Sequence, residues 1–200
     1  MIPYRQGDLD NFCALYSIVH AVSLAVRRHR RQARSGGSSP TAIPLLCFDK
    51  LRAELLIHSL ARRLEAEAKL SAVLAKGTPA RWMPRLLGHT SRYLRASYDT
   101  ELVWSKPFHT QRAAHPRAVS ETIREHMARP HSAVIVKVLW GYEHWVAIAS
   151  ARPTGFVLAE SDVDREPRIS TQRWDDGRSL HIDRVVPSGV FLIRLVTRKT

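Results

Sequence analysis

The segment from Cys13 to Val26, "CALYSIVHAVSLAV", constrains the fold more than any other part of the chain, because it is apolar nearly all round. A helix that is hydrophobic on every side has to be buried on every side. We therefore expect a central helix that other elements enclose. The 200 residues, 44% of them hydrophobic, are sufficient for the single domain that such an enclosure needs.

The sequence pattern changes near Pro130 from helical to extended. Upstream, the ranges 48–74, 79–97 and 116–127 have helical spacing, with a short strand predicted at 102–104. Downstream, "SAVIVKVLWGYEHWVAIASARPTGFVLAESD" is rich in Val and Ile, has turn signals, and predicts two or three antiparallel strands. A last strand is predicted in "GVFLIRLVTR". Helices followed by an antiparallel sheet indicate an α+β domain covering residues 1–200, with the sheet packed on the Cys13 helix.

The net charge of +13 is the one unusual feature of the composition, and it favours acidic partners. Part of it lies in "RRHRRQARSGGSSP", which we interpret as the end of the central helix followed by a flexible basic and Gly/Ser-rich loop at about 31–41. The alternative is that Arg27 to Arg34 form a patch for an acidic protein or for nucleic acid, of which nucleic acid is the less favoured partner.

Other features of the composition narrow the class of protein. No apolar run reaches the roughly 18 residues that a membrane-spanning helix needs, and the polar start of the chain lacks the pattern of a secretory signal. We expect a soluble, cytoplasmic protein, with export by a specialised system left open. The two cysteines and ten scattered histidines predict no disulfide framework, no metal site and no cofactor, and Cys47 is assigned no role.

Cys13 stands between a polar stretch and the apolar helix. If Asp8, Asp10 or Asn11 caps the helix, the thiol lies in its first turn, where the helix dipole stabilises a thiolate. A nucleophilic cysteine needs such a setting. The alternative is that Cys13 is a small buried apolar residue, which is the commoner use of a free cysteine.

Other residues form an ordered set with Cys13. Gln6 shortly precedes it and can offer a side-chain N–H to an oxyanion. His144 starts a predicted strand late in the chain, where an imidazole can meet the helix terminus. Glu160 or Asp162, at the end of the partner strand, can orient that imidazole. The set predicts a cysteine, histidine and carboxylate triad, and we favour Glu160 slightly over Asp162 as its third member.

This order of residues resembles the papain-like cysteine peptidase superfamily, and is most similar to its bacterial bacteriocin-processing (double-glycine leader) peptidase-like domains. The resemblance is carried by "RQGDLDNFCALYSI" and by "HWVAI" with "LAESD". It implies the papain-like fold, with Gln6 as the oxyanion donor, Cys13 as the nucleophile and His144 as the general base. One departure is Ala14, where many relatives have glycine directly after the nucleophile.

The function that the resemblance implies is that of a cysteine peptidase, which hydrolyses a peptide or isopeptide bond in a peptide or protein substrate. Deamidation and transglutamination are alternatives on the same site. Two further alternatives are an inactive member of the family and a non-catalytic basic module that binds nucleic acid or an acidic protein. Trp140, Tyr142 and Trp145 could line a substrate groove, although packing in the sheet is the simpler interpretation of each.

Overall fold

A computed structural model describes residues 12–35, 48–110, 114–139, 143–159, 168–170 and 179–197. Its helices are α1 (Cys13–Ser35), α2 (Lys50–Ala66), α3 (Leu70–Lys76), α4 (Met83–Tyr98) and α5 (Pro116–Met127). Its strands are β1 (Thr100–Ser105), β2 (Ser132–Leu139), β3 (Glu143–Arg152), β4 (Gly155–Ala159), β5 (Arg168–Ser170), β6 (Ser179–His181) and β7 (Val185–Thr197). A short 3-10 helix, Ile182–Arg184, connects β6 to β7.

The strands form one sheet in the order β1-β7-β2-β3-β4-β5-β6. All the pairs are antiparallel except β5 with β6, which is parallel. The α+β class and the sheet at the C-terminal end of the chain are therefore confirmed. The short pairing segments β5 and β6 were not predicted, because three residues are too few to show an alternating pattern.

The sheet separates two hydrophobic cores. On one face α1, α2 and α4 pack against side chains that include Ala133, Ile135 and Ala147. On the other face α5 and the 3-10 helix pack against side chains that include Val134, Val136 and Ile148. Because both faces are covered, the central strand β2 is buried along seven of its eight residues, which explains its continuous apolar sequence.

Helix α1 is the buried central helix that its sequence predicts. Its side chains from Ala14 to Ala25 are almost all inaccessible to solvent, and it packs on β3 and β2. The prediction that a loop begins at about residue 31 was wrong for its first part, since α1 continues to Ser35. Arginine, glutamine and alanine are good helix formers, and the first helix breaker is Gly36. The rest of the predicted loop lies outside the described residues.

Local signals explain the start of α2 and the end of α4. The Asp49 side chain accepts a hydrogen bond from the Arg52 N–H at 3.0 Å and caps the start of α2. Asp99 adopts the left-handed conformation, with φ of 48°, and ends α4.

Within the described ranges, no helix is both long enough and apolar enough to cross a membrane.

Candidate active site

Cys13 is the first residue of α1. The Phe12 carbonyl accepts hydrogen bonds from the N–H groups of Leu15 at 2.8 Å and Tyr16 at 3.1 Å, so the helix begins where the sequence predicts. The first N–H groups of any helix have no acceptor within it, which makes this end attractive to negative charge. Cys13 is 7% exposed. The three candidate capping residues before it lie outside the described residues.

The contacts along α1 show which end of the sheet Cys13 approaches. Arg28, near the other end of the helix, donates to the carbonyl of Ser132 at 2.8 Å and to that of Ala149 at 3.1 Å. At 1.5 Å per residue, Cys13 lies about 22 Å along the helix axis from Arg28. The part of β3 from Glu143 to Ala149 spans about 20 Å. The direction of α1 follows from His20, whose ring bonds to the carbonyl of Ala159, the residue that pairs with Ala147 of β3. The first half of α1 therefore lies toward the beginning of β3.

His144 is the second residue of β3 and is 6% exposed. Its backbone pairs with Val138 of β2, whose side chain belongs to the core on the α5 side of the sheet. Val146 belongs to the same core, whereas Trp145 belongs to the core that contains Cys13. Because side chains alternate along a strand, His144 lies on the α5 face. The thiol and the imidazole thus share one end of the sheet but lie on opposite faces of it.

The other members of the predicted set, Gln6, Glu160 and Asp162, lie outside the described residues. The described part of β4 ends at Ala159, which pairs with Ala147 of β3. Glu160 directly follows Ala159 in the sequence, and its role as the third member stays a prediction. Trp140, Tyr142 and Cys47 also lie outside the described residues.

Trp145 is a packing residue in this structure. It is 2% exposed, and its indole N–H donates to the Thr78 carbonyl at 2.9 Å. Its ring lies 5.9 Å from that of Phe191 in β7. The hydrogen bond ties the segment between α3 and α4 to the sheet, so Trp145 matches the packing interpretation.

Two polar residues near the α1 face of the sheet were not singled out from the sequence. Lys137 is 7% exposed, contacts the Glu143 carboxylate at 2.5 Å and lies 5.9 Å from the Trp145 ring centre. His20, on α1, donates from Nδ1 to the Ala159 carbonyl at 2.8 Å. The lysine within the apolar run "SAVIVKVL" indicates a buried ion pair from sequence alone, because a buried cation needs a partner. The position of His20 gives no comparable signal.

The described residues contain no group of three or more histidine, cysteine, aspartate or glutamate side chains that could hold a metal ion. Comparisons of the sequence and structure with protein-family models, curated proteins and solved structures found no match.

Proposed function

We propose that the protein is a papain-like cysteine hydrolase that acts by thiolate acyl transfer on a peptide or isopeptide bond. The observation that supports this most is the position of Cys13, which opens a buried central helix at the end of the sheet where the His144 strand begins. A helix N-terminus favours the thiolate, and the adjoining strand supplies a base.

In the proposed reaction, His144 takes the proton of the Cys13 thiol and the thiolate attacks the substrate carbonyl carbon. The Gln6 amide and the Cys13 N–H donate to the oxyanion. The intermediate collapses as the imidazolium protonates the leaving amine, and a thioester remains. Water, activated by the same imidazole, then releases the acid and the free thiol. Glu160 or Asp162 orients the ring.

The proposal carries one geometric requirement. The backbone of β3 at His144 has to rotate for the imidazole to reach the α1 face, because strand alternation directs the ring to the same side as Val146. Such a rotation breaks the pairs of His144 with Val138 and of Glu143 with Leu139 and leaves the other described pairs of β2 with β3 in place.

A second candidate function is favoured by that same alternation. If His144 stays on the α5 face, the fold is a non-catalytic module whose charge of +13 attracts an acidic protein. Binding by such a module weakens with salt and is unchanged by Cys13→Ala. Catalysis is abolished by that substitution.

The deciding experiment is the pH dependence of Cys13 alkylation by iodoacetamide, with Cys47→Ala in every protein so that one thiol reports. His144→Ala is the test variant. His58→Ala, which removes an exposed histidine from α2, is the matched control. Circular dichroism checks that each variant keeps its fold.

In the protein that keeps both Cys13 and His144, we expect the alkylation rate at pH 6.5 to stay within about threefold of the rate at pH 8.5. The proposed pair already holds Cys13 as a thiolate at the lower pH. An ordinary thiol is only about 1% ionised at the lower pH. His144→Ala should lower the rate at pH 6.5 by roughly a hundredfold, and His58→Ala should leave it unchanged. A thiol that is unreactive at both pH values, or that is indifferent to His144, contradicts the proposal and favours the binding module.

A further inference from the structure

A cavity of about 550 Å³ lies beside the second half of α1. Its walls come from the middle turns of that half, from the last turn of α5 and from the neighbouring parts of β3 and β4. This volume is within the range of sites that bind small molecules. The described lining residues are Leu24, Arg27, Arg28, Arg124, Met127, Ala128, Ala149, Ser150, Ala151, Arg152 and Val157.

The lining is strongly positive. Four of its side chains are arginines, at positions 27, 28, 124 and 152, and none of the eleven described lining residues is acidic. Like charges that line one cavity repel one another, and an anion between them reduces that repulsion. The remaining walls, at Leu24, Met127 and Val157, are apolar.

Two of the guanidinium groups are held by neutral partners. Arg28 donates to the carbonyls of Ser132 and Ala149. Arg124 donates to the Pro153 carbonyl at 3.1 Å and lies 5.0 Å from the ring centre of Phe156. These contacts fix the groups without cancelling their charge. Among the described carboxylates, none forms an ion pair with Arg27, Arg28 or Arg124.

We propose that this cavity binds a small organic phosphate, with the phosphate among the arginines and an apolar body against Leu24, Met127 and Val157. Guanidinium groups match phosphate oxygens in paired hydrogen bonds. A phosphate dianion neutralises more of the charge of Arg27, Arg28 and Arg124 than one carboxylate does. The site lies about 22 Å along α1 from Cys13, so it is separate from the proposed thiol chemistry.

The test uses phenyl phosphate as the probe and measures its Kd by isothermal titration calorimetry at constant ionic strength. Benzoate presents a carboxylate on the same ring, and inorganic phosphate lacks the ring. We expect phenyl phosphate to bind about tenfold more tightly than either. Benzoate binding as tightly as phenyl phosphate overturns the assignment to phosphates. Inorganic phosphate binding as tightly overturns the role of the apolar wall.

The variants separate the cavity from general positive charge. The double variant Arg27→Gln with Arg152→Gln removes two cavity cations and leaves Arg28 and Arg124 in place. Arg81→Gln with Arg95→Gln removes two exposed cations near α4, away from the cavity. We expect the first pair to weaken phenyl phosphate binding by about tenfold or more, and the second by less than about twofold.

Equal effects of the two double variants overturn the proposal. A single-stranded oligonucleotide that binds in proportion to its length, with no binding of phenyl phosphate, overturns it in favour of a nucleic-acid surface. Cys13→Ala should leave the Kd of phenyl phosphate unchanged. Failure of the thiol chemistry and failure of this site are therefore observed independently.

Discussion

At the scale of single residues, Arg28 shows how a charge in a basic run can serve the fold. The sequence places it in a solvated helix end, yet its guanidinium reaches the carbonyls of Ser132, Ala149 and, at 3.5 Å, Ile148. It thereby joins α1 to the start of β2 and to β3. Burial lowers the pKa of Arg28 from its ordinary value, and the carbonyl oxygens stabilise the charged form.

Arg28→Lys should destabilise the protein, although it keeps the charge. One ammonium group cannot reproduce the fork that bonds two strands, and burying it leaves carbonyl oxygens unsatisfied. We expect a loss of about 1–3 kcal/mol in the free energy of unfolding, measured by urea denaturation. Arg27→Lys, at the exposed neighbouring position, is the control and should change it by less than about 0.5 kcal/mol. Equal effects of the two would mean that the Arg28 hydrogen bonds do not stabilise the fold.

At the scale of elements, the pairing of β2 with β7 depends on one glycine. The register of these strands shifts between Ile135 and Lys137. A Cβ atom on Gly189 would lie 2.4 Å from the Lys137 Cβ and 3.2 Å from the Val186 carbonyl oxygen. Such an approach of two strands is possible only where no side chain intervenes. Gly189 thus allows β7 to lie close to β2 where the register shifts.

Gly189→Ala should therefore destabilise the sheet, by about 1–3 kcal/mol, because the added methyl group forces the strands apart. Gly88→Ala is the matched control. Gly88 lies inside α4, and a Cβ there meets only the end of the Arg92 side chain at 3.9 Å. Alanine is the better helix former, so the control should stabilise by about 0.5–1 kcal/mol. Thermal and urea unfolding of both variants show whether each substitution raises or lowers the free energy of unfolding. If both substitutions are stabilising, the proposed close approach is contradicted.

At the scale of the whole molecule, stability should depend on pH through two histidines, one buried and one half-buried. His126 of α5 donates from Nε2 to the Ile193 carbonyl at 2.8 Å and joins the helix to β7. Burial, and then the charges of Arg129, Arg194 and Arg28, lower the pKa of His126 from its ordinary 6.5. Burial likewise lowers the pKa of His89, whose ring bonds to Ser59. Both rings protonate more readily in the unfolded chain.

The direction in which stability changes with pH follows from this difference in pKa between the folded and unfolded states. A histidine whose pKa is lower in the folded state stabilises the fold fully above about pH 6.5, and this contribution is lost as the pH falls through that value toward the folded pKa. We expect the free energy of unfolding to decrease between pH 7.5 and pH 5.5. His126→Gln should reduce the decrease, because the amide N–H can replace the hydrogen bond without titrating. His58→Gln, at an exposed site, should not reduce it. Urea denaturation at both pH values measures the effect, and an unchanged decrease in His126→Gln would contradict it.

Parts of the structure followed from sequence because they depend on local patterns. The apolar circumference of Cys13–Val26 requires a buried helix, and the Val/Ile-rich segments around Lys137 and Trp145 require strands with little exposure. The start of α1 at Cys13 and the strand that carries His144 were also predicted. These features depend on residues close together in the chain, so their signal is present before folding.

The sequence by itself determined the α+β class, the buried central helix and the position of one thiol at its start. Only the tertiary structure decided which face of the sheet each side chain meets. In the folded chain His144 lies on the α5 face, and Arg28 donates hydrogen bonds to carbonyls of β2 and β3. Four arginines from α1, α5 and β3 line one cavity. The physical reason is that a strand's alternation fixes which residues share a face but not which face α1 covers, and the docking of distant elements settles that.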